Sequence, residues 1–168
     1  MKVVSLVPSI TEALFDLGLT KNEVIGRTKF CIHPSEKVKN VPIIGGTKNI
    51  NIEKIKALQP DLILANKEEN VKEQVEALMT DFKVVVTNVE NVEDNYYLLK
   101  TLGKLFNKEE KAQCFNLKIY DVLNEAKINS SIKVAYLIWK NPYMTIGSDT
   151  FIDKILREIG FENIAAYE

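Results

Sequence analysis

The strongest constraint on the fold is the way short apolar runs alternate with helical periodicity through the first half of the chain. Val3 to Val7 is a short apolar run, the pattern of a strand buried on both faces. Pro8 ends it. Ser9 and Glu12 then form an S-x-x-E pair of the kind that opens a helix, with Ile10, Ala13, Leu14 and Leu17 on one helical face and Gly18 at its end. Val24 to Thr28 is a second strand pattern, Lys29 to Lys39 a loop, and Val41 to Ile44 a third short strand closed by Gly45-Gly46. Asn51 to Leu58 follows as a short helix with Ile52, Ile55 and Leu58 inward, and Pro60-Asp61 turns the chain into a strand over Leu62 to Ala65. After the polar stretch Asn66 to Asn70, Val71 to Met79 is a helix with Val71, Val75 and Leu78 inward, and Phe82 to Thr87 is a valine-rich strand. Such alternation predicts a mostly parallel sheet with helices packed on it.

The second half has a different texture. From Val92 to Lys127 the pattern is almost wholly helical, broken at Gly103 and Asn107. Asn107 with Glu110 marks a helix start, and Ala112, Phe115, Ile119, Val122 and Ala126 follow at helical spacing. A helix over Lys108 to Lys127 would be ~30 Å long, enough to act as a strut. After Asn129-Ser130-Ser131, strand character returns at Ile132 to Trp139. Asn141 to Asp149 is loop. Asp149 caps a helix with Ile152, Ile155, Leu156 and Ile159 inward, ended by Gly160. One strand and one helix cannot bury a core of their own, so residues 129–168 either pack on the first lobe or open a second α/β lobe. The expected organisation is an N-terminal α/β lobe over 1–90, a helical connection over 91–128, and part of a C-terminal α/β lobe over 129–168.

Composition narrows the function classes. Lys and Arg number 22 against 23 Asp and Glu, a net charge of -1, which lacks the basic excess that nucleic acid or an anionic membrane surface would want. No apolar run approaches the ~20 residues of a membrane span. The two cysteines, Cys31 and Cys114, are too few for a disulfide framework. The N-terminal Met-Lys-Val-Val-Ser, soon followed by Pro8 and Glu12, does not make a secretory h-region. The expectation is a chain that stays inside the cell or one shown without its export signal.

In an open parallel sheet, ligands bind beyond the carboxyl ends of the strands. Here those loops are Pro8-Ser9, Lys29 to His33, Gly45 to Asn51, Asn66 to Asn70 and Trp139 to Thr145. Strand-end loops are polar in any case because they meet water. Phe30, Trp139, Tyr143 and Met144, however, are large apolar groups that a merely solvated loop does not need. Cys31 and His33 sit two apart, so in an extended segment both could face one metal or ligand. A zinc site wants four ligands and a second close pair, and His33 is the only histidine. Glu68 or Glu69 could complete such a site, and a buried cysteine beside a hydrogen-bonded histidine is the plainer alternative. Gly45-Gly46-Thr47-Lys48-Asn49 lacks the P-loop pattern, and no G-x-G-x-x-G follows the first strand. Its glycines suit a tight turn. In Asn66-Lys67-Glu68-Glu69-Asn70, either Asn70 caps the next helix in a solvated loop or Asn66 and Lys67 line a binding cleft.

Five segments carry a resemblance: Ser-Leu-Val-Pro-Ser-Ile-Thr-Glu (5–12), Phe-Cys-Ile-His-Pro (30–34), Gly-Gly-Thr-Lys-Asn (45–49), Leu-Gln-Pro-Asp-Leu-Ile-Leu-Ala-Asn-Lys-Glu-Glu-Asn (58–70) and Gly-Ser-Asp-Thr-Phe-Ile-Asp (147–153). In this order they resemble the helical-backbone (class III) substrate-binding proteins of ABC importers, in the branch of cobalamin and siderophore receptors. The resemblance runs along the whole chain. It implies two α/β lobes joined by one long helix, with a corrinoid, haem or ferric siderophore held in the interlobe cleft without catalysis and with no resident cofactor. It also implies about 80 further residues in a complete receptor, ABC importer membrane subunits as partners, and a periplasmic or cell-surface location. By the resemblance, Phe30 and Met144 match apolar cleft positions and Glu53 matches the carboxylate that docks on a transporter arginine; with the strand-end loops, the ligand-binding candidates are Ser9, Phe30, Thr47, Lys48, Asn66, Lys67, Trp139 and Met144. Thr47 and Asn66 stand where cobalamin receptors have aromatics, a departure that favours a smaller or more polar metal chelate as much as cobalamin. Two other functions fit the residues: a metal-dependent or thiol enzyme centred on Cys31 and His33, and an interaction module built on part of a receptor.

Overall fold

The structure, a computed structural model, describes residues 1–129 and 132–166. The expected loop residues Ser130 and Ser131, and the chain end at Tyr167 and Glu168, lie outside the described residues. The chain packs as two compact units, Met1–Asn88 with Leu102–Lys108, and Val89–Thr101 with Glu109–Glu168.

The first unit is a parallel α/β fold. Strands β1 (Val3–Ser5), β2 (Val24–Arg27), β3 (Leu62–Asn66) and β4 (Val84–Thr87) form a parallel sheet in the order β2-β1-β3-β4. Helices α1 (Pro8–Asp16), α2 (Ser35–Val38), α3 (Ile52–Leu58) and α4 (Lys72–Met79) connect them. Leu62, Ile63, Leu64 and Ala65 are buried in succession. That is why β3 reads as an unbroken apolar run: a parallel strand covered on both faces has no solvent side to mark with polar residues. Ile10, Leu14 and Phe15 of α1, Ile55 of α3 and Leu78 of α4 complete the core, each contributing on the order of 1.5–3 kcal/mol by leaving water.

Several local expectations are corrected. The Ser9–Glu12 capping box does not form: Val7 is the N-cap of α1, without a side-chain cap bond, and Pro8 takes the first helical position. Proline is favoured there because its missing N–H would have had no partner. The inward face of α1 also includes Thr11 and Phe15. Residues 41–44 are not a regular strand. They contribute one parallel bridge, Ile43 to Arg27, and Pro42 lacks the N–H that would extend the ladder. The 29–39 loop contains α2, whose last carbonyl, at Val38, accepts from Nε of the buried Arg27 at 2.9 Å. Val71 is the N-cap residue of α4 and not part of its inward face.

Helix α5 (Val92–Phe106) runs through Gly103 without a break and ends at Asn107, whose φ of 55° is left-handed. Asn107 therefore stops one helix and does not start the next; asparagine tolerates that conformation at helix ends. Helix α6 (Glu109–Ala126) is the long helix expected from periodicity, 18 residues and about 27 Å. No helix is long and apolar enough to cross a membrane, among the described residues.

In the second unit, the stretch expected as one strand over 132–139 divides into β5 (Ile132–Val134) and β6 (Leu137–Trp139). β6 pairs antiparallel with β7 (Met144–Thr145). Helix α7 (Phe151–Glu158) leads to β8 (Phe161–Asn163), which pairs parallel with β5. Thr150, not Asp149, caps α7, its Oγ1 accepting from the Asp153 amide at 3.2 Å. Asp149 has φ 61°, whereas a capping residue needs extended backbone. Gly160 closes the helix with φ 93°, and a Cβ there would lie 2.7 Å from the Ile128 carbonyl oxygen, so no other residue fits without a shift.

The Asp153 carboxylate is buried and accepts from Asn163 Nδ2 at 3.0 Å and Arg157 Nε at 2.9 Å. Asn163 Nδ2 also donates to the Ile146 carbonyl, and its Oδ1 accepts from the Ala165 amide. One carboxylate thus ties α7 to β8. Replacing Asp153 by alanine leaves one N–H of the buried Asn163 amide without its acceptor, while the exposed Arg157 turns to water, and is expected to cost about 2 kcal/mol. Urea denaturation measures it, and a loss below about 0.5 kcal/mol, the level of a neutral surface change, would refute the role.

Candidate functional site

The strand order locates the site in the first unit. From β1 the chain steps to β2 on one side, and it then crosses to β3 on the other side of β1. The switch point therefore lies between β1 and β3, where α/β sheets bind ligands at the carboxyl ends. Three loops surround that point: the end of β1 at Leu6 and Val7, the segment 45–51, and the segment 66–70 after β3.

Segment 45–51 is a closed turn. Gly45 has φ 120°, and a Cβ there would meet the Asn49 oxygen at 2.5 Å. Gly46 N donates to Asn49 O at 2.8 Å, and Asn51 N donates to Ile44 O at 2.7 Å. The glycines serve a tight backbone turn. Phe30 lies over it: its Cε2 would be 3.3 Å from a Cβ on Gly46. The Phe30 side chain is 52% exposed, and the Lys29 ammonium stands 5.0 Å from its ring centre, within cation–π range. Lys48 is exposed, and its ammonium donates to the Glu68 carbonyl. Lys67 is exposed on its loop, and Ser9, expected on a loop, is exposed in the first turn of α1.

Thr47 and Asn66 are placed differently. Thr47 is buried. Asn66 spends its side chain internally: Oδ1 accepts from the amides of Glu68 at 2.9 Å and Glu69 at 3.1 Å, and Nδ2 donates to Thr87 Oγ1 at 3.2 Å. This is an Asx turn that shapes the loop. Asn70 is not a helix cap. It is 7% exposed, and its amide bonds to backbone at Leu6, Thr47 and Asn66. Sequence reasoning left its role undecided, because a polar residue before a helix is read as a cap by default.

Cys31 and His33 do not converge. The Cys31 thiol is buried, 3.1 Å from both Thr11 Oγ1 and Thr28 Oγ1, whereas His33 is exposed. Backbone turning between Thr28 and Ile32 breaks the extended alternation that would have aligned them. Among the described residues no three His, Cys, Asp or Glu side chains are grouped to hold a metal ion. Cys114 is exposed. A thiol reagent is therefore expected to modify one cysteine of the native protein rapidly, Cys114, and Cys31 only after unfolding. Rapid labelling of Cys31 in a Cys114→Ser variant would contradict this.

In the second unit the β6–β7 hairpin carries the candidates Trp139 and Met144. Trp139 and Met144 are cross-strand partners, so their side chains share a face. Trp139 is 64% and Met144 49% exposed, and Tyr143 between the strands is exposed as well. Apolar groups of this size held on a hairpin in water are what a ligand or partner surface requires. Glu53 is exposed in the first turn of α3. Lys56, one turn on, is held by Asp81 at 2.9 Å. Its pKa lies above the ordinary lysine value through the hydrogen bond and then the charge of Asp81. Glu53 has no ion pair of its own among the described residues.

The first unit is thus a parallel α/β sheet with Phe30 and the cations Lys29, Lys48 and Lys67 on its strand-end loops. The chain belongs to the periplasmic binding protein family, whose pattern it matches over residues 3–168. It is 32% identical to an uncharacterized ABC transporter substrate-binding lipoprotein, YvrC, of Bacillus subtilis, an alignment covering 98% of this chain and 55% of that one. It is 28% identical to a vitamin B12-binding protein of Salmonella choleraesuis, with 98% and 62% covered. In fold it is similar to the periplasmic vitamin B12 binding protein BtuF of Vibrio cholerae, with TM-score 0.87, 22% identity, and 99% and 67% of the two chains covered. It is also similar to the periplasmic heme-binding protein RhuT of Roseiflexus sp. RS-1, with TM-score 0.78, 20% identity, and 98% and 66% covered. The chain spans less than two thirds of the length of these curated relatives.

Proposed function

We propose that this chain is the ligand-binding part of an ABC importer's solute receptor, holding a corrinoid or a metal chelate of the siderophore or haem class without transforming it. The observation that carries this is the exposure of Phe30, Trp139 and Met144 on loops and a hairpin, where water alone would select polar side chains. The relatives named for vitamin B12 and heme binding support the ligand class. Phe30, Trp139 and Met144 supply apolar contact, Lys48, Lys67 and Ser9 polar contact, and Thr47 and Asn66 hold their loops in shape. Residues 1–90 serve as the N-terminal lobe, 91–128 as the helical connection and 129–168 as part of the C-terminal lobe. Glu53, exposed and without an ion pair among the described residues, is the docking carboxylate for the importer's membrane subunits.

Equilibrium dialysis against cyanocobalamin, haemin and a ferric siderophore, followed by mass spectrometry of the recovered compound, tests both halves. At least one compound is expected to bind and return chemically unchanged. Conversion of the bound compound, or binding of none of them at ~1 mM, where the binding free energy is only about -4 kcal/mol, would overturn the proposal. Glu53→Arg is expected to leave dialysis unchanged and to abolish uptake by a reconstituted importer.

A further inference from the structure

Asn70 occupies the place where a sheet of this topology ordinarily admits its ligand. The switch point lies between the carboxyl ends of β1 and β3. Asn70 Nδ2 donates to the carbonyl of Leu6, just past β1, at 3.2 Å, and to the carbonyl of Thr47 at 3.1 Å. Its Oδ1 accepts from the amide of Asn66, the last residue of β3, at 2.9 Å. A carboxamide alone among the side chains offers two donors on one nitrogen and an acceptor on its own oxygen in one plane, and here all three are used. A second amide, in the first turn of α4, holds the same segment. Gln74 Oε1 accepts from Ile50 N at 3.1 Å, and its Nε2 donates to Lys48 O at 3.3 Å. These two amides grip segment 45–51 at Thr47, Lys48 and Ile50.

We infer that Asn70, seconded by Gln74, is the positioning residue of the binding face: its amide fills the crevice between β1 and β3, fixes segment 45–51 over it, and leaves the ligand to meet the outer surface of the loops. Neither residue touches the ligand. The face is set before the ligand arrives, so little ordering is left to binding, which favours affinity. A broad, flat-sided ligand suits an outer loop surface, whereas a phosphate-sized group would need the crevice that Asn70 closes. The inference rests on the receptor function proposed above only for the identity of the ligand.

The test compares wild type with Asn70→Asp, which keeps the size and the acceptor but loses both donors, and with Gln74→Glu, which keeps the acceptor for Ile50 N and loses the donor to Lys48 O. Amide hydrogen exchange is followed at Gly46 and Ile50 and, as an internal reference, at Leu64 in β3. The expected result is exchange at Gly46 faster by about tenfold or more in Asn70→Asp, the factor set by losing hydrogen bonds of ordinary strength, with Leu64 unchanged. Gln74→Glu should show a smaller rise confined to the same segment. Affinity for whichever of cyanocobalamin or haemin binds wild type should fall in the same order. Where Asn70→Asp does not fold, Asn70→Ser, with one donor and one acceptor, takes its place. Equal acceleration at Gly46 and Leu64 would make Asn70 a general stability residue and overturn the inference, as would no change at Gly46. Failure of wild type to bind either probe would count against the receptor function, and the exchange result would still decide this inference.

Discussion

Replacing Leu64 by alanine is expected to lower the unfolding free energy of the first unit by about 3 kcal/mol, within the ~2–5 kcal/mol span of buried leucine truncations. Leu64 is fully buried in β3, paired with Ser5 of β1 on one side and Val85 of β4 on the other. Its carbonyl also accepts from Leu6 N at 2.9 Å. The backbone on both sides is held by ladder bonds, so the strand cannot collapse into the space a shorter side chain leaves. The cost is then the lost transfer energy plus a cavity, not transfer alone. Urea or thermal denaturation measures it. A loss under about 1 kcal/mol would mean that β3 is not the packed centre of this lobe.

Trp139→Ala is expected to weaken binding of the chelate or corrinoid about 30-fold, which is about 2 kcal/mol and typical of an aromatic anchor. The same change should move stability by no more than ~0.5 kcal/mol, as for other surface substitutions, because the indole is already 64% exposed. A contact residue is distinguished from a structural one by that separation. Equilibrium dialysis is the proper readout, since the variant has lost the single tryptophan. An unchanged affinity would remove Trp139 from the binding surface, and a matching loss of stability would make it a core residue of the hairpin.

The parts of the fold legible in the sequence are those set by burial. Val3 to Val7 and Leu62 to Ala65 announce strands because a sheet covered on both faces needs uninterrupted apolar residues, whereas the valines at 84–86, on a half-buried edge strand with Val86 exposed, announce one by their β-branching. The long α6 is visible in periodicity, although of its expected inward face only Ala112 is buried, Phe115 and Ile119 are half-buried, and Val122 and Ala126 are exposed. What was not legible depends on single hydrogen bonds or single dihedral angles. Pro8 and Ser9 both suit a helix start, and only geometry shows that proline took the first helical position. Asn107 suits the end of one helix as well as the start of another, and its φ of 55° decides it. The division between β5 and β6 at residues 135 and 136 has no glycine or proline to signal it.

The candidate site divides along the same line. Phe30, Trp139 and Met144 stand out as large apolar groups in polar surroundings, and the structure leaves all three exposed. Asn66 and Asn70 look equivalent in sequence. One forms a local turn, and the other reaches Leu6, 64 positions away. Long-range partners of that kind are invisible to any reading of spacing.

Fluorescence of Trp139 during titration with cyanocobalamin, haemin and a ferric siderophore tests the central claim most directly, because the single tryptophan belongs to the proposed contact surface. A saturable, stoichiometric change with at least one of them, lost in Phe30→Ala at the same concentrations, is the expected result. A flat response to all three up to ~1 mM, with the protein shown to be folded, would contradict it.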